Sequence, residues 1–270
     1  MAERSVPPEG DLAALLEFAV EVAEAAGPIA LRYFRAPLDV QNKLHGGGFD
    51  PVTLADREVE AFLRGEIQRR FPDHGIIGEE LGTTHGRSVW RWIIDPIDGT
   101  RAFISGSTAW GTLLGLMHGD RPVAGVVHVP YLRETFYAGT AGAWMKRDGE
   151  LRPLRARPGT ALPEAILYCT HPATFTDKTD LRAFERVARQ CRMLRYGGDC
   201  YSYCMLALGQ LDLIIEGSLQ PYDIIPIMPI VTAAGAVISG PRGEPAEQGG
   251  LVVTAANAAL HRQALELMNG

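Results

Sequence analysis

The sequence predicts a layered α/β protein in which helices cover two sheets. Three observations carry that prediction. Residues 89–154 run through short β-branched and aromatic segments parted by glycine-rich turns, the pattern of antiparallel sheet. From 164 onward, apolar strand-like segments alternate with stretches of helical periodicity. The 270 residues, 46% of them hydrophobic, suffice to bury a large core in one domain or in two tightly joined halves.

Residues 11–35 place Leu12, Leu15, Leu16, Ala19, Val22, Ala26, Ile29, Ala30 and Tyr33 at helical spacing, with Asp11 as N-cap. LHGGGFDP (44–51) reads as a mobile loop because of its three glycines. A second helix is expected over 55–70, with Val59, Phe62, Leu63 and Ile67 inward. GIIGEE (75–80) is an apolar run ending in the adjacent acids Glu79 and Glu80; alternation lets one of them enter a given pocket and does not choose which. VWRWIID (89–95) is a buried strand. WGTLLGLMHG, RPVAGVVHVP and ETFYAGT follow as strands, and AWMKRDGELRPL as a hairpin turned at Asp148-Gly149. EAILYCT is a strand, DLRAFERVARQC and DCYSYCMLALGQ are helices, and LDLIIEG (211–217) is a strand. YDIIPIMPIVTAAGAVIS runs as a helix towards a strand, LVVTAA is a strand, and AALHRQALELM closes the chain as a helix. A composition shift between Gly142 and Pro163 divides the chain into halves, 1–150 and 151–270, expected to form one compact unit.

Composition excludes some functions. A net charge of −6 gives no support to nucleic-acid binding through a broad basic surface. No apolar run reaches membrane-spanning length, and MAERSVPPEGD lacks an apolar signal region, so no membrane is expected. The four cysteines, Cys169, Cys191, Cys200 and Cys204, show no disulfide spacing and read as core thiols in a reducing cytoplasm.

The chemistry concentrates in IIDPIDGT (93–100). Asp95 ends the strand, and Pro96, with no N–H, stops the ladder. Asp98-Gly99 then turns, and Thr100 opens a short helix through RAFIS. Both carboxylates and the Ile97 carbonyl project one way, in front of the Gly99 and Thr100 N–H groups at the helix start, which suit an anion. Hard oxygen ligands beside an anion cradle suit Mg²⁺ bridged to a phosphate. An Asp cap in a turn accounts for Asp98 alone but not for a second carboxylate on the strand end. FDPVTLAD adds Asp50 and Asp56 around Thr53, and QPYDII places Asp223 at a helix N-cap. Such a pocket repels phosphate until divalent cations load it. Metals roughly 3.5–4 Å apart would clamp the phosphoryl oxygens and activate water. No G-x-S-x-G, no Walker-type loop and no triad or metal spacing of histidines offers a rival.

GEE, WIIDPIDGTRAF and the later YDI opening a helix with an AG-rich end resemble the inositol monophosphatase family. FDPVTLADREVE, RAFISG and RYGGDCYSYC are most similar to its histidinol-phosphatase branch. The resemblance runs from about Leu12 to the C-terminus. It implies a layered αβαβα fold and an often lithium-sensitive phosphatase that acts on L-histidinol phosphate in histidine biosynthesis. Two or three Mg²⁺ ions, a cytoplasmic homodimer and attack by activated water, without a phosphoenzyme, come with it. On the same ground, Glu79, Asp95, the Ile97 carbonyl, Asp98 and Asp223 hold metal. Glu79 and Thr100 orient the water, Asp56 lies behind Thr100 to polarise its hydroxyl, and Gly99 and Thr100 hold the phosphate. Choosing Glu79 over Glu80 rests on the family pattern. The N-terminal half would then carry the metal and phosphate loop, and the C-terminal half the substrate wall and Asp223.

L-Histidinol carries an ammonium group, which should meet an acid on the pocket wall. Asp199, at a helix start, and Glu216, at a strand end, are the candidates; a simple N-cap is the competing role for Asp199. Arg101 would meet the phosphate or the substrate's polar edge, or lie on the surface. The chain departs from the branch at Ile225-Pro226-Ile227-Met228, where small residues are usual. With Asp223 as cap, Pro226 falls in the first turn, while Pro229 lies deeper and should kink the helix. Two other functions compete with histidinol-phosphate hydrolysis: a phosphatase for inositol 1-phosphate or another small ester, and a non-catalytic metal-binding relative.

Overall fold

A computed structural model of the chain describes residues 9–37, 40–42 and 51–270. Asp50 and all but the last residue of the expected 44–51 loop lie outside the described residues.

The first half opens with α1 (Glu9–Leu31), which places Asp11 inside the helix and not at its cap. A small ribbon, β1 (Val40–Asn42) with β2 (Pro51–Thr53), leads into α2 (Leu54–Arg70). Next come β3 (Gly75–Gly78), β4 (Gly82–Thr84), β5 (Trp90–Asp98) and the short α3 (Thr100–Ile104). A meander follows: β6 (Gly111–His118), β7 (Arg121–Val129), β8 (Glu134–Gly139), β9 (Gly142–Arg147) and β10 (Glu150–Pro153). These strands form an eight-stranded sheet in the order β10-β9-β8-β7-β6-β5-β3-β4, antiparallel except for the β3–β5 pair. The β9–β10 hairpin turns at Asp148 and Gly149, both at positive φ (49° and 84°), as a two-residue turn matched to strand twist requires.

The second half contributes β11 (Ile166–Cys169), α4 (Lys178–Ala188), β12 (Met193–Tyr196), α5 (Asp199–Ala207) and β13 (Leu213–Leu219). Then come α6 (Pro221–Ile224), α7 (Ile227–Ala233), β14 (Val237–Ser239), β15 (Gly250–Ala255) and α8 (Ala258–Asn269). The second sheet has the order β12-β11-β13-β15-β14.

The buried side chains sort into layers. Leu15, Val22 and Ala26 of α1 pack with Val59 and Leu63 of α2 against Trp92, Leu114 and Val126 on one face of the large sheet. Leu113, Val127 and Phe136 on its other face share a core with Cys204 and Leu206 of α5, Val231 of α7, and Ile214 and Val252 of the second sheet. Phe184 of α4 and Leu260 of α8 cover the far face of that sheet. The result is the αβαβα sandwich, with α5–α7 as the middle layer. All four cysteines are free; Cys200 and Cys204 belong to the middle core.

Two expectations are corrected here. β5 does not stop at Asp95 but pairs with β6 through Asp98, across an irregularity at Pro96. The proline effects are also exchanged. Pro226, the N-cap of α7, divides the expected helix into α6 and α7, while Pro229 sits in the first turn of α7, where its missing N–H costs no hydrogen bond. The break has a receptor in the sheet. Gly115 and Gly125 face each other on β6 and β7, and a Cβ on Gly125 would lie 1.8 Å from the Pro226 carbonyl oxygen.

Candidate metal centre and active site

The DPID segment brings its two acids to one face by means of a bulge. Asp95 pairs with Leu113 and Asp98 with Gly111, so three steps on β5 oppose two on β6. A regular strand would send residues three apart to opposite faces; the extra residue restores the same face. The fixings are local. Ile97 N donates to Asp95 Oδ1 (3.1 Å), Thr112 Oγ1 to the Pro96 carbonyl (2.9 Å), and Thr100 Oγ1 to the Ile97 carbonyl (3.1 Å). Asp98 Oδ2 accepts from Cys200 N at the start of α5 (2.6 Å). Asp223 is not the N-cap of α6; it lies in the first turn, where its Oδ2 accepts from Gln220 N (2.7 Å). One carboxylate oxygen from each of Asp95, Asp98 and Asp223 lies within 4.8 Å of the others.

Glu79 enters by register. β3 runs parallel to β5 with Gly78 opposite Ile94, and Glu79 N donates to the Ile94 carbonyl (3.2 Å), so Glu79 follows alongside Asp95. Glu79 and Asp223 stand close enough to Asp95 for the charge of each to raise its carboxyl. The turn after Glu79 is fixed by two residues the sequence reading passed over. Glu60 of α2 accepts from Glu80 N (2.7 Å) and Leu81 N (3.1 Å), and Arg64 Nε donates to the same carboxylate (2.7 Å). The sequence signal was slight: Glu60 and Arg64 continue the face of Asp56 at steps of four, a pattern equally usual on a solvated helix face.

Burial and mutual repulsion dominate the electrostatics. Asp95 is 2% exposed, and desolvation, then the Glu79 charge, push its carboxyl well above the usual range. Desolvation followed by the Asp223 charge raises Asp98 to about 7, and desolvation raises Asp223 to about 7. Asp56, wholly buried, is raised to about 6 by desolvation. Its Oδ2 accepts from Thr53 N (2.8 Å) and Thr53 Oγ1 (2.6 Å), while its buried Oδ1 has no partner among the described residues. Asp56 therefore serves Thr53, and the Thr100 hydroxyl it was expected to polarise donates to Ile97 instead. Clustered acids with raised proton affinity and an unspent buried carboxylate oxygen are a donor set that fits a hard divalent cation.

The turn at Gly99 is tightly walled. Gly99 has φ +81°, and a Cβ there would meet the Ala109 carbonyl at 2.7 Å and Asp199 Cβ at 3.1 Å. Asp199 is the first residue of α5, at φ 43°; Gly198 is the cap, so capping does not account for Asp199. Desolvation, then the Asp98 charge, raise its carboxyl to about 8, and the exposed Arg101 of α3 opposes that rise. Glu216 lies within β13, not at its end, and its burial raises its carboxyl. Its oxygens accept from Thr170 N and Tyr203 Oη, each at 2.8 Å. Asp98, Asp199, Glu216 and Asp223 line one cavity of about 170 Å³ with Thr170 and Ser218.

The profile of the inositol monophosphatase family matches residues 11–269. The bifunctional phosphatase IMPL2 of Arabidopsis thaliana is 35% identical over 91% of this chain and 72% of its own length. The histidinol-phosphatase of Chlorobaculum parvum is 32% identical over 92% of this chain and 93% of its own. An inositol monophosphatase structure from Zymomonas mobilis superposes with a TM-score of 0.83 at 33% identity, covering 98% of this chain and all of that one.

Proposed function

The chain belongs to the inositol monophosphatase family, and from that premise we propose that it is a Mg²⁺-dependent phosphomonoesterase for L-histidinol phosphate. The reading includes the two or three Mg²⁺ ions, the place in histidine biosynthesis, and the cytoplasmic homodimer that the resemblance implies. One observation carries the substrate: the cavity beside the three-acid cluster has two further acids, Asp199 and Glu216, in its wall. Such a wall suits a cationic alcohol better than a neutral polyol.

In this reading Glu79, Asp95, Asp98 and Asp223, with the Ile97 carbonyl, would hold the ions. Bound Mg²⁺ supplies Lewis acidity and the charge that makes an acidic cavity accept a phosphate dianion. Glu79, beside Asp95, takes the proton of the attacking water, and Thr100 orients that water through its hydroxyl. The Gly99 and Thr100 N–H groups receive the phosphate, and Arg101 meets its outer edge. Asp199 receives the ammonium. Glu216, whose oxygens already accept from Thr170 and Tyr203, contributes its negative charge from behind. Asp56 anchors the start of α2 through Thr53.

The test compares initial rates on L-histidinol phosphate and inositol 1-phosphate with saturating Mg²⁺. A clear preference for the first supports the assignment, and the reverse order establishes the second reading. That second reading draws on the Zymomonas mobilis inositol monophosphatase, which is as similar in sequence as the histidinol-phosphatase. Binding of Mg²⁺ and substrate without turnover would instead mark a non-catalytic relative.

A further inference from the structure

We infer that Glu60 and Arg64 are positioning residues that set Glu79 for the reaction; this rests on the role proposed above for Glu79. The turn from β3 to β4 carries Glu79 on an edge of the large sheet, where a three-residue, fully exposed strand offers little packing to fix it. A buried pair on α2 supplies what packing does not. The Glu60 side chain is inaccessible to solvent, and that of Arg64 is 9% exposed. Glu60 Oε2 accepts from Glu80 N, and Oε1 from Leu81 N and Arg64 Nε. Arg64 continues across the turn, donating through Nη1 to Thr84 Oγ1 (3.1 Å) and through Nη2 to the Gly82 carbonyl.

The two amides that directly follow Glu79 are therefore held by one carboxylate, while its own amide is held by Ile94. With the backbone pinned on both sides, the alternation of the strand is fixed: Glu79 faces Asp95. The neighbouring glycine confirms how close the strap lies. A Cβ on Gly78 would stand 2.1 Å from Glu60 Oε1 and 2.8 Å from Arg64 Nη2. Asp56 and Glu60 are one helical turn apart, so one helix both presents a carboxylate beside Glu79 and ties down the turn that carries it.

Three variants of the full-length enzyme test this: Glu60→Gln, Arg64→Lys and Glu79→Gln. Glu60→Gln keeps shape but sets an amide NH₂ against the Glu80 N–H in one orientation and against the donors of Leu81 and Arg64 in the other. Calorimetric titration with Mg²⁺ alone should show affinity weakened about 10–100-fold, the range for residues that orient a ligand. kcat should fall similarly with KM little changed, and amide exchange over 79–82 should quicken. Arg64→Lys keeps the charge and loses the fork across the turn, so it should move each quantity the same way by less. In a Glu79→Gln background, Glu60→Gln should add almost nothing to the loss in kcat. If Glu60→Gln folds and binds Mg²⁺ and turns over as the wild type does, the inference is overturned. If Glu60→Gln does not fold, wild-type Mg²⁺ affinity and kcat in Arg64→Lys overturn it. Fully additive losses in the double variant do so too. Wild-type turnover in Glu79→Gln would instead overturn the role of Glu79, a separate failure.

Discussion

Asp95 illustrates how the site works against stability. It is buried, it accepts an amide hydrogen from Ile97, and it stands beside Glu79, Asp98 and Asp223, three other acids. Asp95→Asn removes a proposed ligand and one repelling charge together. Turnover should fall by more than about 100-fold, since even groups behind a ligand are worth ~10–100-fold. The melting temperature in EDTA should stay level or rise, because a repulsion is lost. Unchanged turnover would defeat the metal role. On the substrate side, Asp199→Asn should raise KM for L-histidinol phosphate roughly 10–100-fold, the worth of one charge-assisted hydrogen bond, with little change for a plain aryl phosphate. Glu216→Gln should also weaken histidinol phosphate more than the aryl ester, though by less, because its oxygens already accept from Thr170 and Tyr203. Equal losses on both esters would refute the ammonium roles. Asp95 and Asp98 were legible because they sit three residues apart in one motif. Choosing Glu79 over Glu80 needed the β3–β5 register, which no local pattern encodes. The turn of Asp56 towards Thr53 likewise depends on rotamers and not on spacing.

At the scale of elements, long periodic segments were readable and short exposed ones were not. The meander, the Asp148-Gly149 hairpin and the helices from α4 onward follow from alternation, turn residues and apolar spacing. β4 and β12 carry almost no buried apolar side chains, so burial writes no pattern into them. The bulge in β5 escaped because Pro96 reads as a stop, although a proline is also tolerated at a bulge. The division of α6 from α7 depends on a slot in the sheet, built by two glycines far away in sequence. That slot yields a prediction. In Gly125→Ala the new methyl would overlap the Pro226 carbonyl, and overpacking of this kind costs about 1–3 kcal/mol. The urea midpoint should drop accordingly, and Mg²⁺ affinity should weaken as α6 shifts and carries Asp223 with it. An unchanged midpoint and affinity would show that the sheet does not set the position of α6.

Across the whole molecule, two sets of buried groups respond to pH in opposite senses. Desolvation lowers His128 to about 4, from an ordinary value of 6.5. Its Nδ1 meets Thr135 Oγ1, which donates to Glu24, and Lys146 pairs with Glu24, so the network ties α1 to β7, β8 and β9. The unfolded chain takes up this proton below 6.5 and the folded chain only near 4. His128 therefore contributes stability in full above 6.5 and loses it as pH falls towards 4, about 2 kcal/mol by pH 5. The raised acids run the other way. Without metal, Asp98 and Asp223 hold protons up to about 7 in the folded state, so stability declines as pH rises from about 4 to 7. On the proposed reading Mg²⁺ would replace those protons, and its binding would strengthen as they leave. The rise in melting temperature on adding Mg²⁺ should thus be larger at pH 8 than at pH 6. With Mg²⁺ saturating, the acid limb between pH 7 and 5 should be dominated by the histidines, and His128→Gln should flatten it relative to wild type. An identical acid limb in that variant would remove His128 from the account, and a Mg²⁺ effect larger at pH 6 would contradict the carboxylate cluster as the binding site.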